Sequence, residues 1–211
     1  GYVEAGAGVR LSRILKDAKK RKLGGFSFLV GIPGMIGGAV RMNAGTQLGC
    51  MADILSDVEI LNADGEIRWR AAEELEFSYR HSALTSDDIV LTARFSPTGE
   101  MSDREKEALE QAKSYRKATQ PLQLPSGGSV FKNPNEKAAG ALIEGAGLKG
   151  RSVGGARVSE LHANWIVSNG EATSTDIRTL IREIQAEIFR INEIWLEPEI
   201  RFLGPWEENA P

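Results

Sequence analysis

Gly31-Ile32-Pro33-Gly34-Met35-Ile36-Gly37-Gly38-Ala39-Val40-Arg41-Met42-Asn43-Ala44-Gly45 sets glycine among apolar residues at a density that ordinary helices and strands do not carry. Glycine loses more conformational freedom on folding than any other residue, so such a cluster marks close approach of main chain or exposed backbone N–H donors. The chain holds 23 glycines, eight between Gly24 and Gly49 and eight more between Gly127 and Gly155. Apolar residues interleave with the first group: Phe28-Leu29-Val30, Ile32, Met35-Ile36 and Ala39-Val40. Solvated linkers lack that pattern. The stretch contains neither a GxGxxG fingerprint nor the Gly-Lys-Ser/Thr of a phosphate-binding loop. Two readings fit it equally: glycines that let elements pack closely, or a main-chain cradle for a flat or phosphorylated ligand.

Composition narrows the classes of function. In 211 residues, 26 Lys and Arg stand against 29 Asp and Glu for a net charge of -3, with no basic block to neutralise a run of phosphates. Nucleic acid is therefore not an expected partner. No apolar stretch approaches the roughly 20 residues of a membrane helix, so no membrane association is expected. A single cysteine, Cys50, excludes an internal disulfide framework, and His81 and His162 lie too far apart in sequence to suggest a metal site. A reducing, cytoplasmic setting fits.

Outward from the glycine stretch, the pattern predicts an α+β chain. A strand over Tyr2–Ala5 and a Gly6-Ala7-Gly8 turn lead into a helix from Val9 to Lys22, with Leu11, Ile14, Leu15 and Ala18 on its apolar face. Alternation at Val58–Leu61 and Ile67–Trp69 about Asn62-Ala63-Asp64-Gly65 predicts a hairpin, and Ile89–Phe95 another strand. Ser102-Asp103-Arg104-Glu105 is a capping-box sequence, predicting a charged helix to Thr119 before Pro121. This gives a first domain at 1–100, a connecting helix at 101–120 and a second domain at 121–211, each with its own sheet.

The second domain should hold a short helix at 138–144, a strand at 165–167 and a long helix from Ser174. Ile177, Leu180, Ile181, Ile184, Ile188 and Ile191 recur there at helical spacing, as core residues do. A last strand over Trp195–Leu203 places Leu196, Pro198, Ile200 and Phe202 on one face and Glu197, Glu199 and Arg201 on the other, with Pro198 marking an edge.

Two further stretches carry polar groups in suggestive combinations. Pro125-Ser126-Gly127-Gly128-Ser129-Val130-Phe131-Lys132-Asn133-Pro134 reads as a turn-rich loop bearing two hydroxyls, an ammonium and an amide, a mixture suited to an anionic substrate. Its serines could equally cap turns. Tyr79-Arg80-His81-Ser82 offers a guanidinium that is either functional or one half of a surface ion pair. Glu199 taken alone reads as solvent-exposed.

Six segments taken in order resemble the UDP-N-acetylenolpyruvoylglucosamine reductase (UDP-N-acetylmuramate dehydrogenase) family. They are GIPGMIGGAVRMNAG from Gly31, YRHS from Tyr79, PSGGSVFKNP from Pro125, AGALIEGAGLKG from Ala139, GGARVSELHAN from Gly154 and LEPEIRF from Leu196. The resemblance implies part of a PCMH-type FAD-binding lobe followed by an α+β substrate-binding lobe. It also implies an enzyme of peptidoglycan precursor synthesis that uses FAD, with NADPH as reductant and a UDP-sugar as substrate.

Residue by residue, the resemblance makes Ser129 the proton donor, Arg80 the catalytic arginine and Glu199 the catalytic glutamate, and these three are expected to converge on one substrate. It assigns FAD contacts to Gly31, Ile32, Pro33, Gly34, Gly37, Gly38, Ala39, Asn43, Ala44 and Gly45. Substrate contacts fall to Tyr79, Lys132, Asn133, His162 and Asn164, with His162 otherwise a hydrogen-bonded structural histidine. No metal is implied. The resemblance covers about the last two-thirds of a family member and implies a flavin subdomain ahead of Gly1. The 211 residues alone are thus expected to bind FAD weakly or not at all and to expose apolar surface that invites self-association, the intact form being a monomer. The competing reading is an inactive UDP-sugar-binding module.

Overall fold

A computed structural model describes residues 1–134 and 137–204. The chain divides into two compact units, Gly1–Arg116 and Lys117–Pro211, each with its own sheet and core.

In the first unit, β1 (Val3–Gly6), β4 (Leu55–Leu61), β5 (Ile67–Ala71) and β6 (Ile89–Phe95) form an antiparallel sheet in the order β1-β6-β4-β5. Leu55, Val58 and Ile60 of β4 are buried with Val90, Ala93 and Phe95 of β6, so both strands send their apolar faces into one core. The predicted hairpin forms. The Asn62 side chain closes its turn by accepting from the N–H groups of Asp64 (3.1 Å) and Glu66 (2.9 Å), an arrangement that favours Asn at turns. A small hairpin, β2 (Gly45–Thr46) with β3 (Gly49–Cys50), lies between the glycine stretch and β4.

The first helix, α1 (Leu11–Lys20), is shorter than predicted. Its start is fixed by tertiary pairing: Leu11 N–H donates to Gly34 C=O at 3.1 Å and Ile36 N–H to Val9 C=O at 3.0 Å, which holds Arg10 extended. The apolar face is as expected at Leu11, Ile14 and Ala18, all buried, while Leu15 is half-buried. The second helix, α2 (Ile36–Arg41), sits inside the glycine stretch.

The charged helix α3 (Asp103–Thr119) begins as predicted, with Ser102 Oγ accepting from Glu105 N–H at 3.1 Å. The reciprocal half of the capping box is absent because the Glu105 carboxylate accepts instead from Gly25 N–H (2.9 Å) and Ser27 Oγ (2.8 Å). Leu109 is buried, Lys19 pairs with Glu110 at 3.0 Å, and Arg116 donates to Gly31 C=O at 2.6 Å. Its length from Asp103 to Arg116 thus belongs to the first unit, and the boundary falls inside the helix.

In the second unit, β7 (Ser126–Ser129), β8 (Ser152–Val153), β9 (Ala156–Val158) and β10 (Trp165–Ser168) form an antiparallel sheet in the order β7-β10-β9-β8. Helices α4 (Ala139–Gly145) and α5 (Ser174–Asn192) cover it; Ala139 and Ile143 pack with Leu180, Ile181, Ile184 and Ile188 against Val158 and Ile166. At the start of α5, Thr173 and Asp176 make a complete capping box.

Three expectations are corrected here. Ile191 ends the α5 stripe 46% exposed, beyond the reach of the core. The Ser126–Ser129 stretch is a strand, since β10 offers it partners at Val167 and Trp165. Trp195–Leu203 makes no strand: it meets Phe131 in a single bridge at Pro198. Lys132 N–H donates to Glu197 C=O (2.9 Å) and Glu199 N–H to Val130 C=O (2.7 Å), but Pro198 has no N–H with which to extend the ladder. The burial pattern survives, with Leu196 fully buried and Glu197 exposed.

Candidate functional site

The glycines from Gly31 to Gly45 divide into two kinds. Some allow packing: a Cβ on Gly37 would lie 3.0 Å from that of Ala7, and one on Gly45 only 2.7 Å from both Cys50 Cβ and the Gly49 carbonyl oxygen. Gly37 N–H donates to Ala7 C=O at 2.9 Å, stitching the first turn of α2 to the turn after β1. Gly34 and Gly38 are exposed instead, and a Cβ on either would meet nothing within 4 Å. Their N–H groups have no hydrogen-bond partner among the described residues. The packing reading is therefore realised at Gly37 and Gly45, while Gly34 and Gly38 present bare main chain at the surface.

The Tyr79–Ser82 turn is fastened to the end of this stretch. Ser78 and His81 exchange backbone hydrogen bonds at 3.2 Å, and Arg80 at the tip adopts φ +53. Asn43, 6% exposed, donates from Nδ2 to Ser78 C=O and accepts at Oδ1 from Ala52 N–H, both at 3.0 Å. On the other side Ser82 Oγ donates to Arg41 C=O at 2.7 Å. Arg41 in turn donates to the carbonyls of Leu84, Thr85 and Asp88. The Arg80 guanidinium donates to Gly45 C=O at 3.0 Å and lies 5.0 Å from the ring centroid of Tyr79.

In the second unit, β7 carries an irregularity that sets Ser129. Trp165 stands opposite Ser129 and Val167 opposite Ser126, so three steps along β7 match two along β10. Gly128 takes φ +87 at this bulge, a conformation that glycine accepts without strain. Ser129 is exposed, and its hydroxyl makes no hydrogen bond among the described residues. The segment with Glu199 runs directly beside it, through the Glu199 N–H to Val130 C=O bond. Lys132 Nζ pairs with Glu197 at 2.6 Å.

Asn133, His162 and Asn164 support this edge of the sheet. Asn133 Oδ1 accepts from Ala139 N–H at 3.0 Å, at the start of α4. Asn164 is buried, and its amide answers both backbone groups of Phe131, accepting at 2.9 Å and donating at 2.8 Å. Nδ1 of His162 accepts from Asn164 N–H at 3.3 Å, and the ring faces α4 where a Cβ on Gly140 would lie 3.3 Å from Cε1. The structure thus brings Ser129, Lys132, Asn133, His162, Asn164 and Glu199 together in the second unit, and Tyr79, Arg80, Asn43 and Gly45 together in the first.

Residues 120–203 match the UDP-N-acetylenolpyruvoylglucosamine reductase C-terminal domain, and residues 1–70 match an FAD binding domain. The reductase of Synechococcus sp. (strain RCC307) is 46% identical over 207 residues, 97% of this chain and 68% of the relative. That of Latilactobacillus sakei subsp. sakei (strain 23K) is 45% identical, covering 98% and 68%. This chain belongs to the UDP-N-acetylenolpyruvoylglucosamine reductase family. The crystal structure of the reductase from Thermus caldophilus superposes with a TM-score of 0.83 at 38% identity, covering 95% of this chain and 71% of that one.

Within this reductase family fold, the residues matching an FAD binding domain include β1, α1, α2 and the glycine stretch. The structure fits such a group: Gly34 and Gly38 offer unshielded main chain whose N–H groups have no partner among the described residues, beside a frame packed closely at Gly37 and Gly45. No cluster of His, Cys, Asp and Glu that could hold a metal occurs among the described residues. Burial, and next the charge of Asp53, push the Cys50 thiol up, away from the thiolate form that reactive cysteines need. No described helix is long and apolar enough to cross a membrane.

Sequence reasoning missed two features. Glu105 and Arg116 sit on a helix that reads as a charged connector, yet they grip the loop at both ends of its Gly25–Gly31 length; the charge density of α3 is their signal in the sequence. A cavity of about 330 Å³ in the second unit is lined by Lys117, Gln120, Arg157, Ser159, Glu160 and Val167, among others. Gln120 Oε1 there is buried without a hydrogen-bond partner among the described residues.

Proposed function

We propose that this chain performs the reaction for which its family is named. It reduces the enolpyruvyl double bond of UDP-N-acetylglucosamine enolpyruvate to give UDP-N-acetylmuramate, a cytoplasmic step of peptidoglycan precursor synthesis with NADPH as the reductant. The supporting observation is Ser129: an exposed hydroxyl with no hydrogen-bond partner among the described residues, fixed by a bulge beside the segment bearing Glu199.

The main chain of Gly31 to Gly45 would hold FAD, which, once reduced by NADPH, would supply the hydride for one carbon of the alkene. The electron pair of the double bond then moves toward the other carbon and its carboxylate. Ser129 Oγ–H donates the proton that completes the second C–H bond. Arg80, permanently cationic, pairs with the substrate carboxylate and stabilises the charge that develops on it. Glu199 polarises or orients the enol, Lys132 and Asn133 hold the diphosphate or sugar, and Tyr79, His162 and Asn164 make further substrate contacts.

The test separates the two halves of the turnover. Ser129→Ala should slow substrate reduction by a factor on the order of 10²–10⁴, the usual range for losing a positioned proton donor, while flavin reduction by NADPH proceeds at its normal rate. Equal losses in both halves would assign Ser129 to folding or cofactor binding. A chain that binds UDP-sugar but shows no flavin absorbance after FAD addition would support the binding-module reading.

A further inference from the structure

We infer that Asn43 is a positioning residue for Arg80: its buried amide holds the Tyr79–Arg80 turn in register with the glycine stretch. The inference rests on the reading of Arg80 given above. A non-glycine residue at φ +53 is uncommon and persists where its surroundings over-determine it. Here the surroundings are identifiable. The Ser78–His81 bonds close the turn, Ser82 Oγ ties one side of it to Arg41, and Asn43 Nδ2 ties the other to its own backbone segment.

The amide is suited to this work and committed to it. Asn43 is 6% exposed, and its Oδ1 and Nδ2 both have protein partners. Its backbone is itself left-handed, φ +42, a conformation Asn tolerates better than most residues. Two residues later, Gly45 C=O receives the Arg80 guanidinium. Asn43 and Gly45 thereby fix the base and the tip of the same arginine from one short segment. Misplacement of a charge-stabilising group by about 1 Å can cost about 10²-fold in rate, so one neutral hydrogen bond here carries more weight in turnover than in stability.

The experiment uses the FAD-loaded enzyme and two variants. Asn43→Asp keeps the left-handed backbone and the acceptor for Ala52 but sets an acceptor against Ser78 C=O. Asn43→Gly keeps the backbone and removes the amide, and serves if the first variant fails to fold. Both should lower the rate of substrate reduction by about 10- to 100-fold, while the FAD dissociation constant, measured by flavin fluorescence, changes by less than about threefold. In an Arg80→Ala background the same substitutions should cost less than about threefold, since a residue acting through Arg80 has nothing left to position. FAD affinity falling in step with activity would make Asn43 a cofactor ligand and overturn the inference. So would a full additive loss beside Arg80→Ala. Unimpaired Arg80→Ala would instead overturn the reading of Arg80 itself, and Asn43's role with it.

Discussion

The guanidinium of Arg116 lies directly over Gly31, donating to its carbonyl at 2.6 Å and filling the space a side chain would need. Gly31 adopts φ +66, and Nε of Arg116 is buried there without a partner. Desolvation also pushes the Arg116 pKa down from its ordinary value, as expected for a cation held partly out of water.

Gly31→Ala should therefore destabilise the first unit by about 1–3 kcal/mol, through left-handed strain and displacement of the guanidinium. Urea unfolding checks this. Combining it with Arg116→Ala should cost less than the sum of the two, because the collision is then gone while the strain remains.

At Gly128 the space is open but the backbone is not free: φ is +87 and a Cβ would meet nothing within 4 Å. Gly128→Ala should lose about 1–2 kcal/mol from strain alone, and Gly128→Asn less. If Ser129 needs the bulge, both variants will lose substrate reduction in the order of their strain, as rapid-mixing kinetics would read out.

Asn164→Asp replaces a buried N–H donor facing Phe131 C=O with an acceptor. The expected loss is about 1–3 kcal/mol at neutral pH, the penalty for a buried group left unpaired. Thermal unfolding of the variant beside Asn164→Leu, which removes both polar ends, separates the lost bonds from the repulsion.

The Asp176 carboxyl is held below its usual value by the backbone N–H of Thr173 and then by the Thr173 hydroxyl. Its folded pKa being lowered, the stability it contributes is present above the unfolded pKa of about 3.9 and is lost as pH falls through the folded value. Asp176→Asn should flatten the fall in stability below about pH 4 while leaving its shape above pH 6 unchanged. Denaturation series at several pH values measure the difference.

The elements legible in the sequence were those whose own periodicity decides them. Leu180, Ile181, Ile184 and Ile188 specify α5, and alternation about Asn62–Gly65 specifies a hairpin, since each buries one face whatever its neighbours do. Ser126–Ser129 has no such periodicity; its extended form comes from pairing with β10. Arg10 likewise reads as helical until Met35 pairs with it. At the candidate site, the residue types and their order were readable, but the fastening of Arg80 was not. That depends on Asn43 meeting Ser78 across 35 positions of sequence, a distance at which no local rule operates.

The bulge on β7 acts as a change of parity. In a regular strand, residues three apart point to opposite faces; here Ser126 and Ser129 stand opposite Val167 and Trp165, two residues apart and on one face. Every side chain after Gly128 inherits that half-turn. Val130 reaches the helix-covered core because the bulge absorbs the one extra residue that precedes it. Straightening the bulge without removing a residue would thus be a graver lesion than losing one glycine there, which leaves two steps on each strand and both faces as they are. A regular strand of unchanged length would send the Ser129 hydroxyl to the face of Ile166 and the helices and turn Val130 outward, trading a core residue for a site residue in one step.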